Sequence, residues 1–140
     1  MEVVGILIIA KTPLHPTEDP AKVAKCFTNI TEDLHIEEEK TTEGVFLLMK
    51  SSDKQTLMLI RDKLRHQRII SSARKILLRN MTEDSVKFNL NKQAAYAGRV
   101  HFVKDPENED FLGPIAFTIR SDNIQELIDW LTSMEYQKKK

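Results

Sequence analysis

The sequence predicts a single α+β domain over residues 1–140, with a largely antiparallel sheet of about six strands and helices packed on one face of it. Two observations lead to this prediction. Consecutive strand-like runs are joined by short polar connections, which is typical of antiparallel sheets. Runs with a helical apolar stripe separate those strands. A chain of 140 residues has the ordinary length of one domain and buries roughly two-thirds of its unfolded surface, so it needs neither disulfide nor metal to fold.

The N-terminal part predicts a strand and then a helix. The apolar run at residues 3–10 is far shorter than the ~20 residues that span a bilayer, and it predicts a strand over residues 2–11. A turn at residues 12–17 follows it. The helix begins at Asp19 and Pro20, an N-cap followed by a proline in the first turn. Its buried stripe consists of Val23, Phe27 and Ile30.

The next segment predicts a hairpin and a long helical region. Residues 33–39 and 45–51 are strand-like and are joined by a polar turn. Residues 53–79 are helical, but their apolar positions change face at about 100° per residue. One face holds Leu57, Ile60 and Leu64, and a nearly opposite one holds Ile69, Ala73, Ile76 and Leu77. The region is therefore either one helix kinked near residues 65–68 or two helices.

The C-terminal part predicts three more strands and one main helix. Residues 85–90 alternate polar and apolar side chains, which indicates a half-buried strand. Residues 91–97 predict a short helix or turn closed by Gly98. Residues 99–104 and 115–120 predict further strands. The last helix has a start that resembles a capping box, with Asp122 and Gln125, and its buried stripe consists of Ile124, Leu127, Ile128, Leu131 and Met134.

The charge of the chain is segregated although its formal net charge is zero. Residues 61–104 hold eleven Lys and Arg against three Asp and Glu, a balance of +8. The segments on either side, 1–60 and 105–140, each have a balance of −4. Such asymmetry indicates an electrostatic interaction surface more strongly than the total does.

The basic segment predicts a surface that binds the backbone of structured RNA. If residues 61–79 were one helix, Arg61, Arg65, Arg68, Lys75 and Arg79 would lie within roughly 80° of arc, with Ser72 in the same stripe. Guanidinium groups suit phosphate because their planar fork donates two parallel hydrogen bonds. Asn and Gln contact base edges or ribose hydroxyls. The predicted RNA contacts are Arg61, Arg65, Arg68, Arg74, Lys75, Arg79, Lys87, Asn91, Lys92, Gln93 and Arg99.

Two other readings of the same charges stay open. A charged helix stripe is often only a solvated face, although few acids are present in this segment to form the ion pairs of a neutral helix. The acidic flanks could also fold back onto the basic surface, or the surface could meet an acidic partner. In the last case the chain is a protein-interaction module or a homodimer.

Catalytic and metal sites are not predicted. The four histidines have no metal-ligand spacing, and the one cysteine, Cys26, fits a buried helix position. With four glycines in the chain, no phosphate-cradling loop is present. We therefore expect no enzyme activity, no cofactor and no metal, and we expect a cytoplasmic protein without a membrane partner.

Several motifs together resemble a small archaeal family of uncharacterised proteins. They are residues 65–69, RHQRI, residues 90–95, LNKQAA, and residues 112–115, LGPI, supported by residues 16–20 and 127–131. The resemblance covers nearly the full length. It implies RNA binding or association with the exosome, and a fold like that of the ribosomal protein that binds 5S ribosomal RNA. Fold alone does not establish function.

Overall fold

A five-stranded antiparallel sheet organises the described residues, in the strand order β2-β3-β1-β5-β4. The computed structural model describes residues 5–32, 35–104 and 113–133. The strands are β1 (Ile6–Leu14), β2 (Ile36–Thr41), β3 (Gly44–Ser51), β4 (Ser85–Leu90) and β5 (Ile115–Ser121). The helices are α1 (Pro20–Ile30), α2 (Met58–His66), α3 (Ile70–Asn80), α4 (Lys92–Tyr96) and α5 (Ile124–Leu131), and a short 3-10 helix at Lys54–Leu57 precedes α2.

The core lies between the helices and one face of the sheet. Cross-strand register places Ala10 beside Phe117, and Phe117 beside Phe88. The two phenylalanine rings stack with centroids 5.0 Å apart. The stripes predicted for the first and last helices are buried, as expected, from Val23 to Ile30 and from Ile124 to Leu131. Met134 lies outside the described residues.

The region predicted as helical at residues 53–79 forms two helices. Helix α2 ends at His66, and α3 begins at Ile70. The chain turns at Arg68, whose φ of 60° lies in the left-handed region. The amide of Arg68 donates to the Arg65 carbonyl at 3.1 Å, and that of Ile69 donates to the Leu64 carbonyl at 3.0 Å. These two bonds form a Schellman motif, with arginine in the position that glycine usually occupies.

The sixth predicted strand is wrong. Residues 99–104 meet β4 only through an isolated bridge between Leu90 and Phe102. Two backbone bonds accompany it, from Asn91 to His101 at 2.8 Å and from Val103 to Asn89 at 2.9 Å. The ladder does not extend further because the side chain of Gln67, from another element, already binds the amide and the carbonyl of Val100.

Two local predictions need correction. Strand β1 continues through Pro13 to Leu14, where a turn was predicted. Proline is tolerated there because pairing with β5 stops at Lys11, so the missing N–H faces no strand on that side.

The N-cap of the last helix is Asn123, whose Oδ1 accepts from the Glu126 amide at 3.1 Å, rather than Asp122. The caps predicted at Asp19 and the helix predicted after Asn91 are confirmed.

Candidate nucleic-acid interface

The structure separates the eleven predicted RNA contacts into different environments. The single helical stripe assumed for them does not exist, because the chain changes direction at Arg68. Three of the cations have structural partners inside the protein, and one lies on the other face of the sheet. The remaining exposed cations gather around α3 and the segment 98–104.

Arg61 is buried and holds α5 in place. Its side chain is 3% exposed, and its Nε donates to the Trp130 carbonyl oxygen at 2.9 Å. Burial lowers the pKa of Arg61, and the neighbouring positive charge of Arg65 lowers it further. Its Nη2 is buried without a hydrogen-bond partner among the described residues. The prediction that Arg61 contacts RNA is therefore corrected, since a side chain at this depth cannot reach a phosphate.

Arg74 is also directed toward α5. Its Nη1 lies 2.8 Å from Asp129 Oδ1 and donates to Thr132 Oγ1 at 3.1 Å. The hydrogen bond from Arg74 to Asp129, with a second one from Gln125, lowers the pKa of the Asp129 carboxyl. Arg74 is half-buried, and these contacts dock α3 against α5.

Lys92 is the third cation with an internal role. It is 3% exposed, and its Nζ donates to the Pro13 carbonyl at 2.7 Å and to both carboxylate oxygens of Glu18 at 3.2 Å. A buried ion pair of this kind is strongly destabilised when one partner is removed. Lys92 therefore fixes α4 to the end of β1, and its predicted RNA contact is corrected as well.

Lys87 is exposed, but on the other face of the sheet. Its neighbours Val86 and Phe88 are buried beneath the helices, and successive strand residues point to opposite faces. The side chain of Lys87 is thus separated from α3 by the thickness of the sheet. It cannot belong to a continuous surface with the α3 cations.

A groove lies between α3 and the segment 98–104. It has a volume of about 490 Å³, and its apolar floor includes Ile69, Ile76 and Phe102. Ser72 of α3 lines one wall, and the other wall carries the side chains of Arg99, His101 and Lys104. His101 is exposed, as are Arg99 and Lys104. The groove therefore combines an apolar floor with a positively charged wall.

The exposed face of α3 continues this positive surface. Lys75 and Arg79 are exposed and lie three and seven residues after Ser72, which places them on one helix face. Arg68 is exposed in the turn that precedes α3. Residues 63–82 and 85–104 contain no Asp or Glu. We call Arg68, Ser72, Lys75, Arg79, Arg99, His101 and Lys104 the basic groove. In the described residues its charged members are all basic.

Helix α2 holds the loop that carries Arg99. The side-chain amide of Gln67 donates to the Val100 carbonyl and accepts from the Val100 amide, each at 2.8 Å. Lys63 Nζ donates to the Gly98 carbonyl at 2.6 Å. The sequence analysis assigned no role to Lys63 or Gln67, and their only signal is an i, i+4 spacing on one helix face. Together they fix the backbone on both sides of Arg99.

The other predicted contacts lie at the margins of the basic groove. Arg65 is half-buried, and its Nη1 is 4.0 Å from Asp62 Oδ1. Asn91 lines the groove, and its Oδ1 caps α4 by accepting from the Ala94 amide at 2.7 Å. Gln93 is exposed on α4 and lines a separate depression with Tyr96 and Lys22. The structure does not join Gln93 to the groove.

Other kinds of site are not formed by the described parts of the chain. Residues 5–32, 35–104 and 113–133 contain no group of three or more His, Cys, Asp or Glu side chains able to hold a metal ion. None of the helices within these ranges is both long enough and apolar enough to cross a membrane. Burial raises the pKa of the Cys26 thiol to about 11.

Relatives in archaea share this sequence over most of its length. A UPF0201 protein of Pyrobaculum calidifontis is 39% identical over 124 residues, which are 88% of this chain and 86% of that protein. A UPF0201 protein of Sulfurisphaera tokodaii is 40% identical over 125 residues, which are 89% and 86% of the two chains. A family model with the description RNA binding matches residues 7–121. The chain belongs to the UPF0201 family. The archaeal family predicted from the sequence motifs is confirmed.

Solved UPF0201 structures have the same fold. The crystal structure of the UPF0201 protein from Methanococcus jannaschii matches with a TM-score of 0.79 at 30% identity, over 94% of this chain and 96% of that one. A protein of Methanothermobacter thermautotrophicus matches at 16% identity with a TM-score of 0.62, over 90% and 91% of the chains, and shows a shared fold alone. The likeness to the ribosomal protein that binds 5S ribosomal RNA stays a prediction.

Proposed function

We propose that this UPF0201 protein is a non-catalytic RNA-binding protein that contacts the backbone of structured RNA through the basic groove. One observation carries the proposal. Arg99 and Lys104 line a groove whose other wall is α3, Lys75 and Arg79 are exposed on α3, and none of the described acidic residues lines the groove. The RNA-binding description of the matching family model supports the same class of ligand.

The geometry favours phosphate and ribose over stacked bases as the main contacts. Single-strand binding proteins usually stack bases on exposed aromatic side chains. The aromatic residue of the groove, Phe102, is half-buried and packs against Phe88 with ring centroids 5.7 Å apart. Tyr96 is 43% exposed but belongs to the separate depression on α4. The guanidinium and ammonium groups of the segment 98–104, with those exposed on the neighbouring α3, instead suit the phosphates of a folded RNA.

The fixed position of Arg99 strengthens this proposal. A contact contributes more to binding when the side chain that makes it is already held in place, because less conformational entropy is lost. Lys63 and Gln67 restrain the backbone at Gly98 and Val100, on either side of Arg99. The arginine is thus presented from a restrained loop and not from a free one.

The experiment is a titration against a structured ribosomal RNA fragment and total cellular RNA at several salt concentrations. Each neutralised phosphate releases counterions, so affinity falls steeply with salt. The double reversal Lys75→Glu/Arg99→Glu is expected to flatten the slope of log K against log salt by about 1–2 units. The control Lys22→Glu/Lys40→Glu makes the same change in net charge at exposed positions outside the groove.

The outcomes separate the proposal from its alternative. Equal effects of both double variants would mean that only net charge matters, and absence of binding at low salt would reject RNA as the ligand. The alternative is a protein-interaction module, or a homodimer, that sets the basic groove against an acidic surface. It would be favoured if Lys75→Glu/Arg99→Glu abolished self-association while RNA affinity stayed as in the wild type.

A further inference from the structure

Helix α4 separates the basic groove from a second concave surface. Asn91, at the start of α4, and Ala94 line the groove. Gln93 and Tyr96 line the other surface, together with residues of α1 and of the turn before it, and we call this surface the α4 depression. At about 100° per residue the two sets lie on nearly opposite faces of the helix. The groove and the depression are therefore about one helix diameter apart, which is roughly 10–12 Å.

Tyr96 presents an aromatic surface at the α4 depression. It is 43% exposed, and Leu7 is the other large apolar side chain that is exposed among the described residues. Lys25 Nζ lies 5.8 Å from the centre of the Tyr96 ring, near the outer limit of about 6 Å for a cation–π contact. Gln93 is exposed three residues earlier on the same face of α4. An aromatic ring stacks on a nucleobase, and an amide both donates to its edge and accepts from it.

The backbone that carries Tyr96 is anchored at both ends of α4. At the C-terminal end, Asn29 Nδ2 donates to the carbonyl oxygens of Ala95 at 3.1 Å and of Tyr96 at 2.9 Å. At the N-terminal end, the buried Lys92 donates to the Pro13 carbonyl at 2.7 Å. The side chain of Tyr96 therefore projects from a fixed backbone, which lowers the conformational entropy lost when it contacts a ligand.

The size and charge of the α4 depression suit a small neutral group. Its volume is about 350 Å³, near the lower end of the pockets that hold small ligands. The charged residues that line it in the described structure are two acids and two cations, Glu18, Asp19, Lys22 and Lys92, so their formal charges cancel. Glu18 and Lys92 also neutralise each other directly, with Oε1 and Nζ 3.2 Å apart. The depression therefore lacks the excess of positive charge that favours a phosphate, and a neutral nucleobase does not require it.

We propose that the α4 depression binds one unpaired nucleobase of the RNA whose backbone lies in the basic groove, an inference that rests on the proposed function. Unpaired bases of loops and bulges are splayed out of a folded RNA, stacked on aromatic side chains and hydrogen-bonded at their edges. Tyr96 stacks on the base and Gln93 binds its edge. At roughly 3.4 Å per nucleotide along a strand, about three or four nucleotides span the width of α4.

The base contact differs from the backbone contacts in its dependence on salt. Neutralised phosphates release counterions, whereas stacking on Tyr96 neutralises no phosphate. Tyr96→Ala is therefore expected to lower affinity for RNA with an unpaired base about fivefold to a hundredfold without changing the slope of log K against log salt. Lys22 lines the depression but meets no phosphate there, so the control Lys22→Glu/Lys40→Glu should keep the wild-type slope.

The test compares two RNA duplexes of the same sequence, one with a single bulged adenosine and one with an abasic nucleotide at the bulge. The abasic duplex keeps the backbone and lacks only the base. The wild type is expected to bind the adenosine bulge at least fivefold more tightly, and Tyr96→Ala to bind both duplexes as weakly as the wild type binds the abasic one. Tyr96→Phe keeps the ring and should retain the difference. The matched control is Leu7→Ala, which removes the other exposed large apolar side chain and should leave both affinities unchanged.

The outcomes distinguish a failure of the base contact from a failure of the basic groove. Equal wild-type affinity for the two duplexes would overturn the base contact and leave the proposed function intact. The base contact would also be rejected if Tyr96→Ala still distinguished the two duplexes, or if it flattened the salt slope as Lys75→Glu/Arg99→Glu is expected to do. Absence of binding to either duplex at low salt would reject the proposed function itself, and the base contact with it. Circular dichroism melting checks that each variant folds.

Discussion

The Nε of Arg61 donates to the carbonyl oxygen of Trp130 at 2.9 Å, and the guanidinium carbon lies 5.2 Å from the centre of the Trp130 ring. The two residues are 69 positions apart in the chain. The bond satisfies a carbonyl at the end of α5, where a positive charge is also favoured by the helix dipole. An arginine from the most basic part of the sequence therefore acts as a helix cap inside the protein.

Arg61→Ala is expected to lower the free energy of unfolding by about 2–4 kcal/mol, because it removes a charge-assisted hydrogen bond and leaves a cavity beside Trp130. Urea unfolding measures this loss. Arg79→Ala, at an exposed position of the basic groove, should change stability by less than about 0.5 kcal/mol. If Arg61→Ala folded as stably as wild type but bound RNA more weakly, the assignment of Arg61 to the interior would be wrong.

Arg68→Gly is expected to stabilise the fold by about 0.5–1 kcal/mol, because glycine adopts a φ of 60° without the steric cost that a Cβ imposes. Gly98 provides the matched comparison. It occupies the same position of a second Schellman motif, with φ of 82°, its own amide bonded to Ala95 and the next amide to Ala94. Gly98→Ala should destabilise by about 1 kcal/mol or more. Thermal unfolding of the two variants gives opposite signs under this explanation.

The same Arg68→Gly variant also reports on function. Since Arg68 belongs to the proposed basic groove, its replacement should weaken RNA binding while stabilising the protein. A stability gain accompanied by lost affinity would indicate that a strained backbone is retained for a ligand contact. Unchanged affinity would remove Arg68 from the interface.

Gln67→Ala is expected to lower the free energy of unfolding by about 1–3 kcal/mol, because it leaves the amide and the carbonyl of Val100 without their side-chain partners. Hydrogen exchange at the Val100 amide should accelerate more than at amides of β1. RNA affinity should also fall, although Gln67 is half-buried, because the loop carrying Arg99 is released. Gln93→Ala, on exposed α4, is the control and should alter neither exchange nor stability. Normal exchange at Val100 would contradict the restraint.

The Cys26 thiol is expected to react slowly with a disulfide reagent. Its pKa is raised to about 11 by burial, so at pH 8 roughly one thiol in a thousand is ionised, compared with roughly one in ten for an unperturbed group. A thiol whose pKa is raised by folding stabilises the native state below its unfolded pKa, and that contribution is lost as the pH rises from about 9 toward 11. Cys26→Ala should lack this part of the alkaline loss of stability. Fast reaction of the native protein at pH 8 would be inconsistent with burial.

Local sequence signals were sufficient where the deciding contacts are local. The caps of α1 and α4 follow from Asp19 and Asn91, since each accepts a hydrogen bond from an amide two or three residues later. The alternation in β4 follows from the pleat of a strand. The change of apolar face between Leu64 and Ile69 indicated a break or kink, and the structure resolves it as two helices. These features depend on neighbours within one or two turns.

Tertiary packing decided which cations remain available to a ligand. Arg61, Arg74 and Lys92 are as basic in the sequence as Arg68 or Lys75, yet their partners are Trp130, Asp129 and Glu18, from distant segments. No periodicity within the basic segment identifies such partners. The predicted sixth strand does not form for a related reason, because Gln67, from a different element, binds the backbone of Val100.

The sequence by itself determined the class of fold, most of the element boundaries and the concentration of positive charge in residues 61–104. These properties arise from composition and from periodicities of two and 3.6 residues, which are readable along the chain. Only the tertiary structure decided that α3 and the segment 98–104 form one groove, and that Lys87 lies on the other face of the sheet from α3. Such arrangements depend on strand order and on contacts between distant residues, and the free energy of burying or exposing a charge is set by those neighbours.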